Sequence, residues 1–136
     1  MDKNTIKDAI ISMVKEKGGG VAFAELERIE GVGGGGIAIG NAEKNIFFWF
    51  NLTIEAADAL LELCNERAVK IRETRVWVYL VDGIVPRYPV AKRIKRPYKD
   101  EHWVPVVLNL PEQSGSFVSF AIPNDVRAAA EMAVAV

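Results

Sequence analysis

Cysteine and histidine are almost absent from the 136 residues, in which Cys64 and His102 each stand alone. A single cysteine excludes an intramolecular disulfide, and one residue of each type excludes a zinc site built from four Cys and His ligands. No apolar run approaches the ~20 residues that span a bilayer, and the first residues are too densely charged for a signal peptide. We therefore predict a reduced, cytoplasmic protein with no membrane partner, no metal and no cofactor.

The composition nevertheless supports a folded core. Half of the residues are hydrophobic, 26% are charged and the mean hydropathy is +0.10, which excludes a disordered chain. Eleven glycines and six prolines are too few for a collagen-like repeat. A chain of this length favours one domain, or one domain with an appendage.

Apolar spacing and turn residues predict the order of elements in the first half. The predicted elements are a helix over 5–17 capped by Thr5 with Asp8, a strand over 21–23, a helix over 24–30, an irregular glycine-rich stretch over 31–36, a hairpin of 37–39 with 46–50, a helix over 54–67 and a hairpin over 69–81 with its turn at 73–74. The run 46–50, from Ile46 to Phe50, is entirely apolar, so we expect it to be buried on both faces or to form an oligomer interface through Phe48 or Phe50.

The second half is punctuated by proline and is harder to divide. The predicted elements are one strand over 103–110, a linker over 111–116, a strand over 117–122 and a helix over 125–134 capped by Asn124. This last helix is a second candidate for a homo-oligomer contact. The inward position predicted for Cys64 on its helix indicates a buried, inert thiol.

The order of elements over 1–82, and the segment LLELCNERAVKIRETRVWVYLVDG in particular, resembles the winged helix-turn-helix superfamily. The resemblance implies an α+β fold, a third helix that enters the DNA major groove, a β-hairpin wing that touches the backbone, and a role in transcriptional regulation. We therefore expect a winged-helix-like domain with an inserted β-hairpin (1–82), a basic, proline-punctuated extension (83–110), and a linker, strand and helix (111–136).

Charge is distributed very unevenly along the chain. Residues 1–66 carry 6 basic and 11 acidic side chains, residues 67–99 carry 10 basic and 2 acidic, and residues 100–136 carry 1 basic and 5 acidic. The third predicted helix shows Glu55, Asp58, Glu62 and Glu66 on its outward face. That face would repel phosphates, so we do not expect it to read DNA.

The basic and aromatic residues of 67–99 form the candidate nucleic-acid site. Its members are Arg72, Arg75, Arg87, Tyr88, Lys92, Arg93, Lys95, Arg96, Tyr98 and Lys99. The cations can hold phosphates, and tyrosine rings can stack on unpaired bases. Pairing of these charges with acidic helix faces of the same chain or a neighbour is an open alternative, as is another anionic partner.

Other patterns point less clearly to chemistry. The glycine run 31–36 lacks the lysine and hydroxyl residue of a phosphate-binding P-loop. The titratable residues of 98–102 are neighbours in a loop, with no nucleophile signature beside them, so we predict a solvated loop and no enzyme activity. The sequence thus favours a nucleic-acid-binding protein, with a winged-helix module that binds an acidic protein surface as the alternative.

Overall fold

The computed structural model describes residues 2–81, 83, 85–92, 97–113 and 123–128, which form a mixed α+β fold as predicted. The elements are α1 Lys3–Lys17, β1 Val21–Ala22, α2 Phe23–Leu26, β2 Gly33–Asn41, β3 Ile46–Leu52, α3 Ile54–Asn65, β4 Lys70–Glu73, α4 Val76–Val81, β5 His102–Trp103, β6 Val106–Asn109 and β7 Asp125–Ala128. They build an antiparallel sheet of order β1-β6-β4 and a mixed sheet of order β5-β3-β2-β7. All three segments expected from the sequence contribute strands to these sheets.

Helix α1 begins earlier than the sequence pattern predicts. The Asp2 carboxylate accepts the backbone N–H of Thr5 at 2.8 Å, which caps the helix and holds the pKa of Asp2 below its ordinary value. The predicted cap of Thr5 with Asp8 is therefore wrong. The helix ends at Gly18, whose φ of 82° is the left-handed conformation that glycine adopts without strain.

Helices α1 and α3 pack against each other through apolar stripes. The buried residues of these stripes are Ile6, Ile10, Val14, Ala56, Ala57, Ala59, Leu60 and Leu63. At the rim, Lys3 pairs with Glu62 at 2.5 Å and Lys7 pairs with Glu66 at 2.6 Å. These exposed pairs add little stability, but they occupy two of the four carboxylates expected on the outward face of α3.

The hairpin β2–β3 forms the centre of the larger sheet, as predicted. Strand β3 buries Ile46, Phe47, Phe48 and Trp49 almost completely. The chain itself covers Ile46 to Trp49, so Phe48 is not available to a partner, whereas an oligomer contact through the half-buried Phe50 stays a prediction. At the start of β2, the glycines form a bulge rather than the predicted irregular stretch: a side chain at Gly35 would lie 2.4 Å from the Leu52 carbonyl oxygen.

The predicted hairpin over 69–81 is wrong. Strand β4 instead pairs with β6, with Lys70 opposite Asn109 and Glu73 opposite Val106, while 76–81 forms helix α4. Strand β6 is buried along its whole length, so it offers β4 a partner from the core that a local hairpin over 75–81 would not provide. Such long-range packing overrides the β-propensity of a segment rich in valine and aromatic residues.

The predicted strand over 103–110 is split by Pro105, which has no N–H to donate to a ladder. Its two parts, β5 and β6, belong to different sheets. Residues 125–128 form strand β7, which pairs with β2 at the edge of the larger sheet, so the helix predicted there is wrong. The cap predicted at Asn124 is wrong as well, because the Asn124 N–H donates to the Gly40 carbonyl at 2.9 Å. The remainder of that helix and the strand over 117–122 lie outside the described residues.

The predicted helix over 24–30 is the single turn α2, which is followed by a carboxylate that holds the end of β3. Glu27 accepts the indole N–H of Trp49 at 2.6 Å and the amide N–H of Asn51 at 2.9 Å. Both of its oxygens are thus used within the fold, and we assign this carboxylate a structural role.

The rate at which the Cys64 thiol reacts tests the packing of α3. Burial raises its pKa from 9.0 to about 12, and the thiolate is the reactive form. We expect a thiol-reactive disulfide reagent at pH 8 to label the folded protein roughly a thousandfold more slowly than the chain in denaturant, as three pKa units imply. Equal rates in a stopped-flow absorbance assay would show that Cys64 is not packed as described.

Candidate nucleic-acid interface

The segment between α4 and β5 docks along the edge of the larger sheet, and we call residues 85–101 the basic arm. Its first half runs beside β5: the Trp103 N–H donates to the Pro89 carbonyl and the Ala91 N–H donates to the Trp103 carbonyl, both at 2.9 Å. The ring of Tyr88 packs edge-on against Phe47, with centroids 4.9 Å apart. This half of the arm is therefore held by backbone pairing and by the core.

The second half of the arm docks on the turn between β2 and β3. Asn45 adopts the left-handed conformation there, and its side-chain amide donates to the Tyr98 carbonyl at 2.6 Å. The Tyr98 N–H donates to the Lys44 carbonyl at 3.0 Å, and the His102 N–H donates to the Asn45 carbonyl at 2.9 Å. The first half of the arm is thus fixed to β5 and the second half to the hairpin; Arg93, Lys95 and Arg96 lie outside the described residues.

A cleft of about 490 Å³ opens between the two halves of the arm. Its lining residues are Pro89, Val90, Lys92, Tyr98 and His102. The rings of Tyr98 and His102 stack with centroids 3.7 Å apart, and the Tyr98 hydroxyl accepts the Lys92 backbone N–H at 2.8 Å. The cleft therefore combines an aromatic pair with a lysine, and its volume is in the range of small-ligand sites.

Three cations of the arm have no carboxylate partner among the described residues. Arg87, Lys92 and Lys99 are exposed, and within the described part of the chain none of them forms an ion pair with a carboxylate. The acidic residues that do form pairs use other cations, as in Lys3–Glu62, Lys7–Glu66 and Lys17–Glu25. Among the described residues, the acidic side chains of α1 and α3 thus leave the charges of Arg87, Lys92 and Lys99 uncompensated.

Arg72 and Arg75 lie apart from the arm, on β4 and just before α4. Arg75 is exposed, whereas Arg72 is half-buried and its Nε has no hydrogen-bond partner among the described residues. The Thr74 N–H donates to the Pro105 carbonyl at 2.9 Å, two residues from the Trp103 to which the arm is bonded. Residues 103–105 thus contact the arm at one end and Thr74, between Arg72 and Arg75, at the other.

A buried ion pair that sequence reasoning missed fixes the base of the arm. Glu101 is only 4% exposed and pairs with Arg127 of β7, which also lies 3.5 Å from Asp125. Burial, together with the negative charge of Glu101, raises the pKa of Tyr88. Glu101 and Arg127 are far apart in the sequence, and the helix predicted over 125–134 gives no indication that they meet.

The sequence also missed His102 as a member of the site. Its Nδ1 lies 2.8 Å from the Asp100 carbonyl oxygen, so the chain turns between Lys99 and Glu101 and brings the imidazole back over Tyr98. The spacing of four residues between the two rings could have suggested a contact only if this turn had been known. The solvated loop expected over 98–102 is therefore wrong at His102 and Glu101, since both pack within the fold.

The chain matches no known family, and no curated protein or solved structure is significantly similar to it. Across the described ranges, no helix has the length and apolar character needed to cross a membrane. The same ranges contain no group of three or more His, Cys, Asp or Glu side chains placed to hold a metal ion. The charge and geometry of the basic arm are therefore the features that bear on function.

Proposed function

We propose that the protein binds nucleic acid through the basic arm, without catalysing a reaction. The observation that carries the proposal is that Arg87, Lys92 and Lys99 are exposed and have no carboxylate partner among the described residues. Nucleic-acid phosphates attract such cations, and the release of condensed counterions drives the binding. Because the first half of the arm is hydrogen-bonded to Trp103 of β5 and the second half to the turn between β2 and β3, the backbone that carries these cations is fixed before binding.

The sequence between the two described halves of the arm adds further positive charge. Arg93, Lys95 and Arg96 add three positive charges over four residues, and residues 87–99 contain no acidic residue. Six cations on thirteen residues approach the density of a phosphate-binding segment. Arg72 and Arg75 extend the proposed contact along the end of the smaller sheet.

The cleft supports contact with an unpaired base. Tyr98 and His102 offer aromatic surface, and Lys92 provides a charge beside it. Stacking on aromatic side chains is the common way in which proteins hold single strands without reading sequence. Tyr98 suits this role better than Tyr88, because Tyr98 lines the cleft whereas the ring of Tyr88 packs on Phe47 in the core.

We further propose that α1, α2 and α3, together with the sheet β1-β6-β4, form a winged-helix core. Two features support the proposal: the order of these elements along the chain, and the central position in this sheet of β6, the last of its three strands in the sequence. Strands β4 and β6 would then be the wing, and α4, the arm and β5 would be an insertion within it. The exposed acids Glu55 and Asp58 on α3 argue that the wing insertion, rather than the third helix, faces phosphates.

Fluorescence anisotropy with random-sequence duplex and single-stranded DNA over a salt series tests the proposal. If about five phosphates are contacted, we expect log affinity to fall with log salt with a slope near −4.5 for duplex and near −3.5 for single strands. Unrelated sequences should bind similarly, because phosphate contacts carry no sequence information. Absence of salt-dependent binding to either form at low salt would contradict the proposal and favour the alternative of an acidic protein surface as the partner.

A further inference from the structure

Helix α4 exposes an apolar face that no described part of the chain covers. Trp77 and Leu80 are each 59% exposed and Val81 is 78% exposed. Positions i, i+3 and i+4 lie on the same side of a helix, so these three side chains form one patch. A cluster of large apolar side chains left in water marks an interaction surface more often than a single exposed residue does.

The opposite side of α4 is held firmly in the core. Tyr79 is fully buried between Trp49 and Trp103, with ring centroids 5.2 and 5.0 Å away. Its hydroxyl accepts the Phe23 N–H at 3.1 Å and donates to the Val106 carbonyl. The exposed patch is thus displayed on a fixed support, and little conformational entropy would be lost when a partner covers it.

The N-terminal half of α3 carries a surface of complementary character. Ile54 is 46% exposed and Glu55 and Asp58 are exposed beside it. Among the described residues, neither of these two carboxylates forms an ion pair, unlike Glu62 and Glu66 farther along the helix. The chain therefore offers an apolar position flanked by two negative charges that its own fold leaves uncompensated.

We infer that α4 of one copy of this chain docks on the N-terminal half of α3 of a second copy. Trp77, Leu80 and Val81 would cover Ile54, and the exposed Arg75 beside α4 would face Glu55 and Asp58. Residues 1–66 are net negative and residues 67–99 are net positive, so charge attraction also favours a contact between α3 of one copy and α4 of the other. Since the two surfaces differ, the contact is head-to-tail, and it is distinct from the oligomer contact predicted at 46–50.

Sedimentation velocity over a concentration series tests this contact with two paired variants. We expect wild-type protein to associate, and both Trp77→Ser/Leu80→Ser and Glu55→Lys/Asp58→Lys to raise the dissociation constant by roughly tenfold or more, as loss of a hot spot does. Asp8→Lys/Glu16→Lys is the matched control, because it reverses two exposed acids on α1 and should associate as wild type does. Denaturant melts confirm that each variant is folded.

Mixing the two defective variants separates a head-to-tail contact from any other. One intact α4 face and one intact α3 face remain in the mixture, so we expect a 1:1 heterodimer that does not grow further. A monomeric wild type, a mixture that stays monomeric, or an α3 variant that associates like wild type would each overturn the inference. Every variant retains Arg75 and the basic arm, so nucleic-acid binding can be measured separately and can fail independently.

Discussion

Replacing Phe48 with alanine is expected to destabilise the protein by ~3–5 kcal/mol, the range for removing a large aromatic side chain from a core. Phe48 is fully buried on β3, the strand that β2 and β5 flank in the larger sheet. Its carbonyl also accepts the indole N–H of Trp103 at 3.2 Å, which ties the strand to β5. Chemical denaturation followed by tryptophan fluorescence measures the loss in the free energy of unfolding.

Phe50→Ala on the same strand provides the matched control. Phe50 is only half-buried and packs on Trp49 near the edge of the core, so its removal should cost clearly less than that of Phe48. A loss below about 1 kcal/mol for Phe48→Ala, far under the range for a buried aromatic side chain, would mean that β3 is not a central strand. Equal losses for the two variants would contradict the burial pattern described here.

Neutralising the arm is expected to have the largest effect on binding. The variant Arg87→Gln/Lys92→Gln/Lys99→Gln removes three exposed cations that form no internal ion pair. If each contacts one phosphate, affinity for duplex DNA at 0.1 M salt should fall roughly 500-fold, and affinity for single strands roughly 100-fold. Anisotropy titrations of wild type and variant at that salt concentration measure both ratios.

The matched control is Lys3→Gln/Lys15→Gln/Lys17→Gln, which removes the same charge from α1. Two of these lysines pair with Glu62 and Glu25, so we expect them to contribute little to phosphate contacts. Affinity should then change by less than tenfold. If the α1 variant loses as much affinity as the arm variant, net charge rather than the arm governs binding, and the assigned surface is wrong.

Local patterns were sufficient to predict the helices α1 and α3 and the hairpin β2–β3. In each of these, apolar spacing agrees with turn or capping residues close by in the sequence. Thr53 illustrates this agreement: its hydroxyl accepts the Ala56 N–H at 3.2 Å, so the start of α3 can be read from the sequence. The continuous apolar run of β3 likewise predicted burial on both faces.

Contacts between distant residues could not be predicted from local patterns. Strand β4 finds its partner more than 30 residues away in β6, and β7 joins the edge of β2 almost 90 residues away. The valine-rich segment after Arg75 fits a strand as well as a helix by propensity. The packing of Tyr79 between Trp49 and Trp103, both distant in the sequence, is the contact that stabilises helix α4 over a strand.

The candidate site was likewise predictable only in part. Composition alone located the cations, because residues 87–99 contain six basic residues and no acidic one. The cleft was not predictable, because its stacked pair of Tyr98 and His102 depends on a turn between them and on the docking of the arm against Asn45. Whether a cation has a carboxylate partner is also a property of the fold and not of the sequence.

Photocross-linking tests the central claim, that the arm is the surface in contact with nucleic acid. A single-stranded oligonucleotide that carries 4-thiothymidine is irradiated with the wild-type protein, and the cross-linked peptides are identified by mass spectrometry. We expect cross-links within residues 85–102, with Tyr98 or His102 among the modified positions, and their loss when unlabelled strand competes. Cross-links concentrated on α3, or spread evenly over the lysines of α1, would contradict the claim.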